Sequence, residues 1–130
     1  MAESTPPVSC STIAARVVSV EGTLERCQSG ESHWQKVEAD SLLCQGDWVS
    51  VRAHSRATLR FSNNSMLRLD QKTTFIITAP AKVESTTLLE LIEGKLHIFT
   101  RTPKPFKIKA PFINASVEGT EFVVDAQPHQ

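Results

Sequence analysis

Apolar and polar residues alternate along most of this chain with a period of two, and turn-forming residues cut the alternation at short intervals. That period places successive side chains on opposite faces of an extended strand. The clearest case is Arg56 to Phe61, where Ala57, Leu59 and Phe61 share one side and Thr58 and Arg60 the other. Beyond a reversal at Ser62-Asn63-Asn64-Ser65, Leu67 and Leu69 continue the buried face while Arg68 and Asp70 turn away. Asn tolerates the left-handed backbone that such reversals require.

The same reading predicts a first strand over Ile13 to Val20 and a turn at Gly22. A hairpin follows within residues 23 to 37, carrying Leu24 and Trp34 and turning at Ser29-Gly30-Glu31-Ser32. Gly46-Asp47 makes a turn, and Trp48 to Val51 then enters the core as a strand. Phe75 to Ile77 forms another, ended by Pro80, with a polar linker or further strand over residues 81 to 85. Leu88 to Ile92 and Leu96 to Ile98 read as two adjacent strands joined at Glu93-Gly94-Lys95, with His97 outward. Thr102 to Pro105 interrupts the pattern, Phe106 to Ala110 resumes it, and a turn at Glu118-Gly119 precedes a last strand, Thr120 to Val124.

Turn signals recur roughly every 8 to 12 residues, which favours an all-β domain over an α/β enzyme. The expected architecture is a compact sandwich or an irregular β-helix-like stack of short strands. No exact repeat marks a regular solenoid. Residues 1–12, with Pro6 and Pro7, are expected to be a flexible lead-in, 13–125 the β domain and 126–130 a flexible tail.

Composition narrows the function. The 130 residues carry 14 basic and 14 acidic side chains, so net charge exerts no pull toward nucleic acid or anionic lipid. No apolar run approaches twenty residues, so membrane insertion is not expected of this chain, and the acidic, polar start lacks the pattern of a signal peptide. Cys10, Cys27 and Cys44 do not form a disulfide framework; of these, Cys27 and Cys44 are the expected pair if one exists.

Catalytic chemistry finds little support. His33, His54 and His97 have no metal-ligand spacing, and Ser55, His97 and Asp70 have the residue types of a triad without a nucleophile elbow. The glycines are dispersed turn residues rather than a phosphate cradle. No enzyme activity and no cofactor are expected. Arg52, Arg56, Arg60 and Arg68 raise the prospect of a basic face; without an interleaved aromatic platform it points to protein rather than nucleic acid. Glu118 and Glu121 are contact candidates beside the last strand. Gly46, Asp47, Trp48, Gly94, Gly119, Thr120 and Phe122 are assigned to turns and core, Gly119 relieving a backbone restriction and Phe122 supplying apolar area. Trp34 and Trp48 serve either strand packing or a glycan surface.

Several motifs in order resemble one known family. They are Ala14-Ala15-Arg16-Val17-Val18-Ser19-Val20-Glu21-Gly22, Trp34, Gly46-Asp47-Trp48-Val49, and Ser55-Arg56-Ala57-Thr58-Leu59-Arg60-Phe61. Asn64-Ser65-Met66-Leu67-Arg68-Leu69, Leu91-Ile92-Glu93-Gly94-Lys95-Leu96 and Phe106-Lys107-Ile108-Lys109-Ala110-Pro111 follow, and then the most distinctive, Val117-Glu118-Gly119-Thr120-Glu121-Phe122. Together, from about residue 14 to 124, they resemble the FecR protein domain family. Asn64 stands where that family often has glycine, and Glu118 where it commonly has arginine. The resemblance implies an all-β domain on the periplasmic or extracellular side of a bacterial envelope. It also implies a protein partner, in some members as part of transmembrane signalling. Self-assembly as a structural module and envelope glycan binding are the alternatives.

Overall fold

The computed structural model describes residues 13–28, 30–62, 64–79, 87–109 and 114–126. Of the side chains within these spans, those of Ala79, Thr87, Leu88, residues 101–107, residues 114–120 and Phe122 lie outside the description.

Among the described residues eleven strands follow one another: β1 (Ile13–Glu21), β2 (Leu24–Cys27), β3 (Gln35–Val37), β4 (Leu42–Cys44), β5 (Trp48–Val51), β6 (Arg56–Phe61), β7 (Met66–Leu69), β8 (Thr73–Ala79), β9 (Thr87–Glu93), β10 (Lys95–Lys109) and β11 (Asn114–Asp125). One continuous ladder joins them in the order β3-β2-β5-β8-β9-β10-β7-β6-β1-β4, with β11 on β10. The ladder folds over into two six-stranded layers that share β10, giving a compact sandwich rather than a closed barrel. The first layer is β3-β2-β5-β8-β9-β10 and the second is β11-β10-β7-β6-β1-β4.

The core follows from the period-two pattern. Leu24, Val49, Val51, Phe75, Ile77, Leu89, Leu91 and Ile108 face inward from the first layer. Val17, Leu43, Leu59, Phe61, Leu67, Leu69, Leu96 and Ile98 meet them from the second, in one cluster. Fully burying side chains of this size contributes roughly 1.5–3 kcal/mol each.

The chain passes between layers by sharp corners, and two of these use the same device. At the first, Gly22 (φ +85°) joins β1 to β2, and Ser55 lies against it. The Thr23 amide donates to Ser55 Oγ at 2.8 Å, and that hydroxyl donates to the Ala53 carbonyl. At the second, Gly94 (φ +105°) joins β9 to β10, and Thr73 lies against it. The Lys95 amide donates to Thr73 Oγ1 at 3.1 Å. The turns that supply the two hydroxyls also match, since His54 and Lys72, each just before the hydroxyl residue, both sit at φ +58°.

Several sequence expectations change in this light. Glu93-Gly94-Lys95 is not a hairpin, because β9 lies in the first layer and the start of β10 in the second. The two strands meet only later, in parallel, where Phe106 to Lys109 pair with Thr87 to Glu90. Thr102 to Pro105 is not a gap between strands but a register irregularity inside β10, between Phe99 and Lys104. Glu118-Gly119 is not a turn; both residues lie within β11, opposite Pro105 and Lys104. The irregularity bends β10 without ending its ladder. Trp48 does not enter the core: the residue is 40% exposed, on the outer side of the first layer. Cys27 is a buried free thiol while Cys44 is disulfide-bonded, so the two are not a pair. Cys10, residues 81–85 and the lead-in lie outside the described residues.

Alanine at Gly94 forces a left-handed backbone on a residue with a side chain, which alone costs about 1–2 kcal/mol. Its Cβ also collides with the Thr73 backbone. Gly30 has a similar φ of +83° but open space around it. Urea denaturation should therefore show Gly94→Ala clearly less stable than Gly30→Ala; equal losses would mean that the corner is not tightly packed.

Candidate protein-binding face

The outer side of the second layer gathers Arg56, Arg60, Arg68 and Glu121 of the candidate contact residues, while Arg52 stands on the first layer beside Glu25 and Trp34. The register sets them in rows across the strands. Glu121, Phe99, Met66, Arg60, Arg16 and Leu42 stand successively opposite one another on β11, β10, β7, β6, β1 and β4. The next row holds Val123, His97, Arg68 and Thr58, followed by Ser19. Asp125 and Lys95 pair at the corner end of the face, where Arg56 also stands opposite Glu21.

Side-chain contacts tie these rows together. His97 Nε2 and Glu121 Oε2 are 2.8 Å apart. The Arg68 guanidinium lies 5.0 Å from the centre of the Phe99 ring, a cation–π geometry. Arg56 Nε approaches Asp70 Oδ1 at 3.8 Å in an exposed ion pair. Such a pair contributes little to stability and leaves both groups accessible. Two adjoining depressions, of 190 and 290 Å³, share Arg56, Arg68 and Leu69 in their walls. Lys95, Leu96, His97 and Asp70 complete one, and Ser19, Glu21, Ala57 and Thr58 the other.

Arg56, Arg60, Arg68 and Glu121 thus share one face, although they are spread over sixty-six positions of sequence from Arg56 to Glu121. The Glu118 side chain lies outside the described residues, as do those of Thr120 and Phe122. Arg16 also belongs to the face, although in the sequence it stands only within a strand motif. Its position opposite Arg60 depends on the β1–β6 register, which a single chain's periodicity does not reveal. His33 and His54 lie elsewhere. Among the described residues no group of three or more His, Cys, Asp or Glu side chains could hold a metal ion.

The Gly46-Asp47 turn, by contrast, is internal framework. Gly46 adopts φ +93°, and its amide donates to the Ile77 carbonyl at 2.7 Å. Asp47 Oδ2 accepts from the Cys44 amide at 2.9 Å and stands 3.6 Å from Arg26 Nη1. Arg26 also donates to the Leu42 carbonyl at 2.6 Å, so this buried guanidinium joins β2 to β4 across the sandwich. Burial pushes the Asp47 carboxyl above its ordinary value of 3.8, against the opposing pull of the Cys44 amide and Arg26.

The family comparison fits this architecture. The FecR protein family model matches residues 47–130, more than half of the chain. The chain belongs to the FecR family. The match includes β6, β7 and both long strands of the face; the N-terminal motifs from Ala14 to Trp34 precede the matched span. Domains of the FecR family are typically associated with the bacterial envelope. No curated protein and no solved structure matches the chain.

The raised Asp47 pKa has a definite sign. Its folded-state value exceeds the unfolded one, so the stability linked to this proton is fully present below pH 3.8 and is lost as pH rises through the folded pKa. Asp47→Asn cannot titrate. Its stability deficit relative to the parent should be largest in acid and shrink toward neutrality, followed by urea denaturation from pH 3 to 7. A deficit that instead grows toward neutrality would show that Arg26 and the Cys44 amide outweigh desolvation.

Proposed function

We propose that this FecR domain is a non-catalytic recognition module on the periplasmic or extracellular side of a bacterial envelope. It binds a protein partner through the outer face of the second layer. The observation that carries the reading is the concentration of Arg56, Arg60 and Arg68 with half-buried Phe99 and Met66 on one rigid sheet, rimmed by Glu121 and Asp125. Accessible arginines beside aromatic and methionine surface are what protein interfaces are enriched in. The carboxylate rim adds orientation by repelling wrongly charged surfaces. A disulfide at Cys44 supports an oxidising compartment. Any transmitted signal arises because the partner binds one arrangement of the parent protein better than another.

A second reading is favoured by one observation on the opposite side of the molecule. Trp34 is 39% exposed, with the Arg52 guanidinium 5.6 Å from its ring centre, and Trp48 is 40% exposed in the same layer. Exposed indole rings beside hydrogen-bonding side chains suit a glycan.

The test is a crosslinking pull-down from the native envelope with the full-length protein. A folded Arg60→Glu, Arg68→Glu variant should lose a saturable protein partner by at least tenfold. Retention of that partner would move the interface off this face. Recovery of self-complexes alone would favour assembly, and recovery of glycan lost in Trp34→Ala, Trp48→Ala would favour the second reading.

A further inference from the structure

The arginines whose side chains are described fall into two groups. Arg26, Arg52 and Arg56 each stand beside a carboxylate: Asp47, Glu25 and Asp70. Arg16, Arg60 and Arg68 have none within 4.0 Å among the described residues, and all three are exposed on the outer face of the second layer. Arg16 and Arg60 are also direct register partners on β1 and β6. Like charges directly opposite one another destabilise an antiparallel pair. Met66 stands opposite Arg60 on the far side, so the row offers Arg60 no compensating charge there.

We infer that the Arg16–Arg60 pair, extended by Arg68, is an anion-reading centre that takes carboxylates from an extended acidic segment of the partner protein. This rests on the recognition reading above and names the chemistry of its partner. A guanidinium presents a planar fork of donors that matches a carboxylate through two parallel bonds. Two forks on neighbouring strands about 5 Å apart can hold one carboxylate between them or two on successive side chains.

The surroundings select a peptide among anions. Leu42 and Met66 lie in the same row as the arginines, half-buried, and Val18 is exposed on β1 close by. Apolar side chains of a peptide can cover this surface, whereas a phosphate or a lipid headgroup leaves it wet. The Glu21, Asp70 and Asp125 carboxylates stand at the corner end of the face, beside Arg56 and Lys95, and Glu121 stands on β11 at the far end of the row that holds Arg60 and Arg16.

The experiment is a fluorescence-anisotropy titration of the intact domain with a labelled peptide alternating glutamate and valine. The same peptide with glutamine, inorganic phosphate, and phosphatidylglycerol vesicles are the comparison ligands. The glutamate peptide should bind, weaken as salt rises, and lose at least tenfold in affinity in Arg16→Gln, Arg60→Gln. Arg52→Gln, on the other layer, should leave it unchanged. Glutamine retains the length of the aliphatic stem at exposed sites, and an unchanged thermal melt verifies folding. In this titration three results would overturn the inference: no preference for glutamate over glutamine, indifference to the Arg16 and Arg60 changes, or binding of vesicles or phosphate but not peptide. If the envelope partner is lost in Arg60→Glu, Arg68→Glu yet retained in Arg16→Gln, Arg60→Gln, this inference falls and the recognition reading stands.

Discussion

A single sheet of this length has no reason to become a sandwich unless its strands bend at matched places, and the two glycine corners set those places. Gly22 and Gly94 let the backbone turn through positive φ where a side chain would collide with Ser55 or Thr73. The hydroxyl facing each glycine then accepts the amide that the bend would otherwise strand, from Thr23 in one case and Lys95 in the other. Close approach and hydrogen-bond satisfaction are therefore one constraint, since an unpaired buried amide costs as much as a lost hydrogen bond. The backbone repeats the match: the Arg52 amide donates to the Thr23 carbonyl, and the Asp70 amide to that of Lys95.

The candidate face is positioned by those corners. The row His97, Arg68 and Thr58 starts on β10 only two residues beyond Lys95, so the second corner fixes where the face begins. Beneath it, Leu67, Leu69, Leu96 and Ile98 are fully enclosed, which leaves the outward side chains on a sheet that cannot slip by one residue without exposing its core. The Arg26–Asp47 pair performs a different task, joining β2 to the turn after β4 on the far side of the core. A buried pair of this kind is weak evidence for stability and better evidence that one strand arrangement is specified over others.

Much of this was legible in the chain because one face of each strand is dry and the other wet. Ala57, Leu59 and Phe61 are buried and Arg56 and Arg60 exposed, as their alternation requires. Asn64 adopts φ +70° in the reversal assigned to it. What alternation does not carry is the destination of a strand. Glu93-Gly94-Lys95 has the same local signature in a hairpin and in a corner; the difference lies in Thr73, twenty-two positions away from Lys95. One clue was present in the segments Val20-Glu21-Gly22-Thr23-Leu24 and Ile92-Glu93-Gly94-Lys95-Leu96, which share a pattern too short to read as a repeat. Pro105 and Gly119 looked like breaks, yet β10 and β11 run through them because the ladder is irregular only between Phe99 and Lys104. The candidate residues Arg56, Arg60, Arg68 and Glu121 were legible by type, but that they share one face, and that Arg16 joins them, depends on the register.

Native-state hydrogen exchange at the Thr23 and Lys95 amides tests the central claim most directly. Both sit at chain bends, where exchange is ordinarily fast, and both are held by a side-chain hydroxyl on a distant turn. If the corners hold the layers together, these two amides should exchange as slowly as the core amides of β6 and β7, and Ser55→Ala and Thr73→Val should each accelerate its own amide by at least tenfold. Exchange at the rate of an open turn, unaffected by those changes, would contradict the account.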